Sequence, residues 1–298
     1  MSAKISYIIP THNRQEDLVE HIKSVKKSTY KNLEIIVVDN ASSDNSVRIV
    51  KKLFPDVKVI ESQKNLNAAG GRNLGMKNVS KESSYLILMD DDVVIEPDTI
   101  SNLYKAINAR PEYAAATGKV LFLEKPTVVQ LAGSSVGLLT SFNYANTGPD
   151  DGRFDQPCDS FAGGAILIKR EVADKVGFYD EVYPRLYEDA DYSVRIIRTG
   201  KRILYVPSAR IYHKAHILDK KSATDRWLSG AYFASRNKII FMSKFSPCFP
   251  CFIFLIYPAF LLFYTYQSVR FSRIDALLNF YKGTLAGLKW ALNYHFRK

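Results

Sequence analysis

The 298-residue sequence predicts an α/β fold: a mainly parallel sheet flanked by helices, followed by an apolar, basic C-terminal segment. Three observations carry this. Short apolar runs alternate with helix-periodic stretches of ten or so residues over the first third, the pattern of right-handed βαβ units. A polar cluster follows each apolar run. Residues 245–269 contain no charged side chain at all, with basic residues on both flanks.

The elements follow in order. Residues 4–9 (K-I-S-Y-I-I) form a strand ended by Pro10, and Thr11, His12, Asn13 and Arg14 form a polar loop. Leu18, Ile22 and Val25 then recur at helical spacing. Residues 33–38 are the second strand, closed by Asp39 and Asn40, and Ser43-Asp44 caps the next helix. Residues 57–60 make a third strand and 68–79 a helix of small residues. The fourth strand, residues 85–89, runs straight into Asp90, Asp91 and Asp92. In open parallel sheets ligands bind beyond the carboxyl ends of the strands. Residues 10–14, 39–40, 65–72 and 90–92 all fall at that edge. Three adjacent carboxylates repel one another, so a fold keeps them only with a cation or donors close by. Hard oxygen ligands of this kind suit Mg²⁺ or Mn²⁺, which also binds a diphosphate; an acidic turn capping the helix after Pro97 is the plainer alternative.

Beyond Gly118 the texture changes. Residues 118–133 and 148–161 mix turns with short strands, and 161–168 (F-A-G-G-A-I-L-I) read as a strand leading to a helix at Arg170. Glu188, Asp189 and Asp191 open a helix that ends at Gly200, and short strands at 203–206 and 210–212 precede His213. In the charge-free window Pro247, Pro250 and Pro258 interrupt the helical pattern. Basic flanks on both sides argue against a simple crossing. A re-entrant or in-plane segment, then a basic amphipathic helix, fits better.

At 47% hydrophobic and 24% charged residues the chain folds. Its net charge of +11 is concentrated late: from Arg270 onward six basic residues face one acidic residue, Asp275. Nucleic acid is not the expected partner, because no reading motif accompanies that charge and its apolar periodicity favours lipid. Cys248-x-x-Cys251 lies among Phe and Pro and reads as apolar filler rather than a redox or zinc motif. No basic-then-apolar leader precedes the first strand, so the bulk of the chain is expected in the cytosol.

Taken together, I-I-P-T-H-N-R (8–14), V-V-D-N-A-S-S-D (37–44), N-L-N-A-A-G-G-R-N (65–73), M-D-D-D (89–92), F-A-G-G-A-I-L-I-K-R (161–170), G-F-Y-D-E (177–181), E-D-A-D (188–191) and H-K-A-H (213–216) resemble the inverting glycosyltransferases of family 2, with the GT-A (Rossmann-like) fold. The nearest flavour is the rhamnosyltransferase-like branch. The resemblance implies a nucleotide-sugar-binding half (1–118), an acceptor-binding half with the catalytic base (119–230) and a membrane-associated tail (231–298). It implies that Pro10, Thr11, Asn13 and Arg14 hold the nucleoside of a UDP- or dTDP-sugar donor, that Asp39 accepts from the imide of the base, and that Arg72 meets the base or diphosphate. Asn67 stands where many members carry Gly. Asp90 and Asp91 would face the ribose and sugar, with Asp92 and His213 ligating Mg²⁺ or Mn²⁺. Asp189 would be the base that deprotonates the acceptor and Glu188 would orient it. Asp191 is the alternative base, although its place four residues before Arg195 also suits a helix-face ion pair. The acceptor would be a glycan or polyprenyl-linked hydroxyl and the site the cytoplasmic face of the cell membrane, in contact with lipid.

Three rivals remain from the residues alone. Asp90-x-Asp92-x-Val94 also fits a haloacid-dehalogenase phosphohydrolase with Asp90 as nucleophile, but three strand–helix units precede it. A nucleotidyltransferase lacks its glycine-rich loop here. A non-catalytic nucleotide-sugar-binding membrane protein leaves the acids at both 90–92 and 188–191 unexplained.

Overall fold

The computed structural model describes residues 2–141, 143–145, 147–149, 156–161 and 165–296. Two compact units emerge. One comprises Met1–Ser135, Ala145–Pro184 and Glu188–His216, the other Val136–Tyr144, Arg185–Tyr187 and Ile217–Lys298.

The first unit is built on strands β1 (Lys4–Thr11), β2 (Leu33–Asp39), β3 (Lys58–Glu61) and β4 (Ser83–Leu88), which pair in parallel in the order β4-β1-β2-β3. Helices α1 (Gln15–Lys26), α2 (Ser46–Leu53) and α3 (Asn67–Met76) connect them. Buried from Ile5 to Thr11, β1 shows the near-continuous apolar run of a strand covered on both faces. One face packs on Leu18, Ile22, Val25 and Val50, the other on Ala69, Met76, Val172 and Tyr192.

After the short β5 (Val93–Ile95) and α4 (Thr99–Asn108), β6 (Tyr113–Phe122) and β7 (Lys125–Leu131) extend the sheet. The segments β8 (Ser134–Val136), β9 (Asn143–Ala145), β10 (Gly148–Pro149) and β11 (Gln156–Cys158) are brief. β12 (Ile166–Lys169) inserts antiparallel between β4 and β6, followed by α5 (Arg170–Val176) and α6 (Glu188–Ile197). The result is a mixed, mostly parallel sheet. Of the strand expected over 161–168, Ala162, Gly163 and Gly164 lie outside the described residues.

The two short strands expected before His213 are one strand, β13 (Arg202–His213), parallel to β6 and antiparallel to β5. Pro207, which cannot donate to a ladder, falls where the register with β6 shifts, between Val206 and Arg210. The bulge also presses backbone together, since a Cβ on Gly118 would meet Ala209 O at 2.3 Å.

The second unit is helical: α7 (Lys220–Ser229), α8 (Ala231–Phe245), α9 (Phe249–Cys251), α10 (Tyr257–Arg270) and α11 (Ile274–Phe296). α11 lies on α8 through Gly283 and Gly287, where an added Cβ would collide with Tyr232 O at 2.2 Å and Arg236 O at 2.9 Å. Of the prolines expected to break the apolar window, Pro247 lies in the break between α8 and α9, while Pro250 and Pro258 do not end it. Pro250 occupies a first helical turn, where no N–H is needed, and Pro258 follows directly on a π-helical stretch, Phe252–Ile256, that joins α9 to α10. The continuous helix Phe249–Arg270 is long and apolar enough to cross a membrane by length and composition, with mean hydropathy 1.7. Cys248 and Cys251, expected as filler, form a disulfide. Three residues apart at a helix start, their Cα atoms are 5.3 Å from one another, within reach of such a bond.

Candidate active site

The loops after β1 and β2 are stitched together at the carboxyl edge of the sheet. Asn40 N donates to Thr11 O at 2.8 Å, Asn13 N to Ser42 Oγ at 2.9 Å and Ser43 N to Asn13 Oδ1 at 2.7 Å. Asn13 holds a left-handed φ of 53° to do this, a conformation asparagine tolerates better than most. Asp44, expected as a helix cap, serves two helices, accepting from Ser46 N at 2.9 Å and Gln15 N at 3.1 Å. These bonds hold its carboxyl below the usual range, against the opposing effect of burial.

Asp39 ends β2 opposite Thr11. Its Oδ2 accepts from Ser42 N at 3.1 Å, while its buried Oδ1 has no hydrogen-bond partner. An unmatched buried acceptor is costly, and this oxygen stands open to a donor. Asn67 has φ 59°, a left-handed conformation that asparagine tolerates and glycine adopts freely. Gly71 lets α3 approach closely: its Cβ would lie 2.6 Å from Asn40 Nδ2 and 3.0 Å from Pro10 Cβ.

The acid triplet divides into three roles. Asp90 is paired with Arg72, Nη2 to Oδ1 at 2.7 Å. Asp91 is buried and accepts from Thr11 Oγ1 at 2.6 Å. Burial pushes its carboxyl up to about 7 despite that bond and the nearby Arg14. Asp92 accepts from Arg14 Nη1 at 2.6 Å and lies 3.3 Å from His213 Nε2. Burial would raise its carboxyl, but His213 and Arg14 outweigh that and hold it at about 2.

His213 reaches this point because β13 pairs with β5, setting His213 opposite Val93. Its Nδ1 lies 2.8 Å from Gln130 Oε1. An amide oxygen only accepts, so Nδ1 carries a proton and Nε2 faces Asp92. Asp92 Oδ1 is otherwise without a partner. Without a metal, a proton on Nε2 makes this an ion pair with Asp92 Oδ1; once that proton leaves, the same two atoms would suit a divalent ion, and sequence reasoning did not anticipate Gln130. A cavity of about 210 Å³ opens over Asp90, Asp92, Gln130 and His213. Among the described residues no group of three or more His, Cys, Asp or Glu is gathered at one point for a metal.

The decisive link is Arg72. Its side chain is 1% exposed, and besides Asp90 it reaches Asp189 Oδ1 at 3.2 Å and Glu188 Oε1 at 3.9 Å through Nη1, with the Tyr179 ring 5.4 Å away. Expected at the base or diphosphate, it is engaged here by carboxylates from two distant motifs, which it brings into one site. Glu188 has a buried Oε2 without a hydrogen-bond partner, and burial followed by the adjacent Asp189 charge raises its carboxyl above the usual range. Asp191 is fully enclosed and accepts from Arg195 Nε at 2.6 Å, as its four-residue spacing suggested. Asn73, which closes the 65–73 motif but was assigned no role from sequence, fixes the G-F-Y-D-E segment by donating to Tyr179 O and Glu181 Oε1, both at 2.9 Å.

The glycosyl transferase family 2 profile matches residues 6–177, more than half of the chain. The chain is a family 2 glycosyltransferase. It is 32% identical to glycosyltransferase GlyG of Streptococcus pneumoniae over 37% of each chain. With N-acetylglucosaminyl-diphospho-decaprenol L-rhamnosyltransferase of Mycobacterium tuberculosis the identity is 23%, over 75% of this chain and 80% of that protein. The crystal structure of GalNAc-T7 with UDP, GalNAc and Mn²⁺ superposes with a TM-score of 0.62 at 16% identity, covering 88% of this chain and 58% of the other; this likeness establishes the GT-A fold. Membership of the family overturns the haloacid-dehalogenase, nucleotidyltransferase and non-catalytic readings.

Proposed function

We propose that this glycosyltransferase moves a sugar, with inversion, from a UDP- or dTDP-activated donor to a hydroxyl of a glycan or polyprenyl-linked acceptor. The setting is cell-envelope polysaccharide or glycolipid synthesis at the cytoplasmic face of the cell membrane. The rhamnosyltransferase relative, named for a decaprenol-linked substrate, supports the acceptor class, and the apolar helix Phe249–Arg270 supports a membrane setting. The observation that carries the reading is the buried Arg72 guanidinium bonded to both Asp90 and Asp189. Donor-side and acceptor-side acids thereby share one site.

In this reading the open Oδ1 of Asp39 accepts from the imide N–H of uracil or thymine. Pro10, Thr11, Asn13, Arg14 and Asn67 shape the nucleoside's seat, and Asp90 and Asp91 face the ribose and sugar. Asp92 and His213 would hold Mg²⁺ or Mn²⁺, a fit supported by the unmatched Asp92 Oδ1 and by the Nε2 that Gln130 leaves turned toward it. Such an ion offsets negative charge on the leaving diphosphate. Asp189 accepts the acceptor's proton, Arg72 fixes where that carboxylate points, and Glu188 orients the acceptor. Asp191 anchors the helix through Arg195.

A thermal-shift experiment tests this. A UDP- or dTDP-sugar with Mn²⁺ should raise Tm, and Asp92→Ala should abolish the rise. Asp189→Asn should keep the rise yet lose transfer by about 10²–10⁴-fold. Near-normal transfer by Asp189→Asn would remove the base assignment, and no shift with any such donor would remove the donor class.

A further inference from the structure

The α10–α11 hairpin presents an apolar surface that no other described residue covers. α11 runs back along α10: Tyr257 Oη and Thr284 Oγ1 are 2.7 Å apart, Tyr264 stacks on Phe280 at 4.0 Å, and the rings of Phe249 and His295 are 5.6 Å apart. The inward face of α11 is mostly small, with Ala276, Gly283, Gly287 and Ala291 buried. On the opposite face, at 3.6 residues per turn, Ile274, Leu278, Tyr281, Leu285, Leu292 and Phe296 form one stripe. All are exposed, Leu285 by 68% and Phe296 by 85%. α10 repeats the arrangement, burying Tyr257, Tyr264 and Ser268 while Leu262, Phe263, Tyr266 and Val269 stand outward. A helix apolar all round belongs in a core or in lipid, and these outer faces are in no core.

Charge selects the occupant. Lys282 and Lys289 edge the α11 stripe and Arg270 ends α10, while the one acid from Arg270 onward, Asp275, is paired with Arg273 at 2.8 Å. A two-fold copy would bring like lysines together; anionic headgroups neutralise them. The antiparallel register also bears on depth. If α10 crossed the bilayer, α11 beside it would carry Lys282 and Lys289 into the hydrocarbon. We propose that the hairpin lies in the plane of one leaflet of an anionic bilayer. The outer faces of α10 and α11 then sit in the acyl region, and Lys282 and Lys289 reach up to lipid phosphates. The inference is independent of which sugar is transferred.

Flotation of the full chain with vesicles of phosphatidylcholine, with and without phosphatidylglycerol, tests it. The chain should float with the anionic vesicles. The triple variant Leu278→Gln, Leu285→Gln, Leu292→Gln should lower the bound fraction at least about tenfold with Tm and any donor-induced shift unchanged. Lys282→Gln with Lys289→Gln should weaken binding only where phosphatidylglycerol is present. Single cysteines at Ser272 and Asn293, read against the parent chain, should both react with an impermeant maleimide added outside. Protection of the Ser272 position alone would show a spanning hairpin and overturn the proposal. So would unchanged flotation of the triple variant, or a parent dimer that this variant converts to monomer without loss of flotation.

Discussion

Replacing Arg72 by methionine removes the one guanidinium that Asp90, Glu188 and Asp189 share, within a volume where the arginine itself is 1% exposed. Deleting one partner of a buried ion pair costs about 3–5 kcal/mol, because the remaining charge is left uncompensated. For a first unit of about 200 residues, each kcal/mol lowers Tm by about 2–4 °C. The expected fall is therefore roughly 6–20 °C at pH 8. The sign with pH follows from Glu188. Burial and Asp189 already raise its folded carboxyl, and Arg72 opposes them. Without Arg72 it rises further, so the variant's deficit is greatest where the carboxyl must ionise and shrinks as acid neutralises it. Differential scanning fluorimetry of both proteins at pH 5 and pH 8, without donor or metal, reads this directly. A fall of less than about 2 °C at pH 8, or an equal fall at both pH values, would refute the reasoning.

Other outcomes follow from the same geometry. Asp91 stands at about 7 against an ordinary 3.8, so its contribution to stability is present below the unfolded value and lost as pH rises through 7. In urea titrations Asp91→Asn should flatten that decline, and an unchanged slope would contradict it. Gln130→Leu removes the acceptor on His213 Nδ1 and should weaken Mn²⁺ binding about 10–100-fold by calorimetry; unaltered affinity would separate Gln130 from the metal. Asp39→Ala should weaken donor binding by about 5–100-fold while sparing Mn²⁺ affinity measured without donor. Equal loss of both would mean the loop had collapsed.

Much of this was legible because the sheet writes itself locally. The apolar runs at β1, β2 and β4 are buried on both faces, and the polar residues that end them could only emerge at one edge. The ion pair of Asp191 with Arg195 needed only helix periodicity. What stayed hidden depends on chain segments far apart. Arg72 and Asp189 are 117 positions apart, and no spacing reveals that a guanidinium will turn inward to meet both acids. Gln130 sits on an ordinary strand and acquires its role only through His213. The reading of Cys248 and Cys251 failed for a different reason. Composition recognised an apolar neighbourhood but not that a helix start brings the two thiols together. Likewise Pro258 gives a break signal in the sequence because the π-helical stretch preceding it has no sequence signature.

Strand β13 has a consequence for synthesis. A ribosome that has translated only as far as residue 177, where the family profile stops, has already made Asp90, Asp91 and Asp92 but not Glu188, Asp189 or His213. On the proposed roles, such a nascent chain has the donor-side acids but neither the proposed base Asp189 nor His213. On the same roles, activity would await the exit of the stretch that pairs with β5 and β6 and sets His213 opposite Val93.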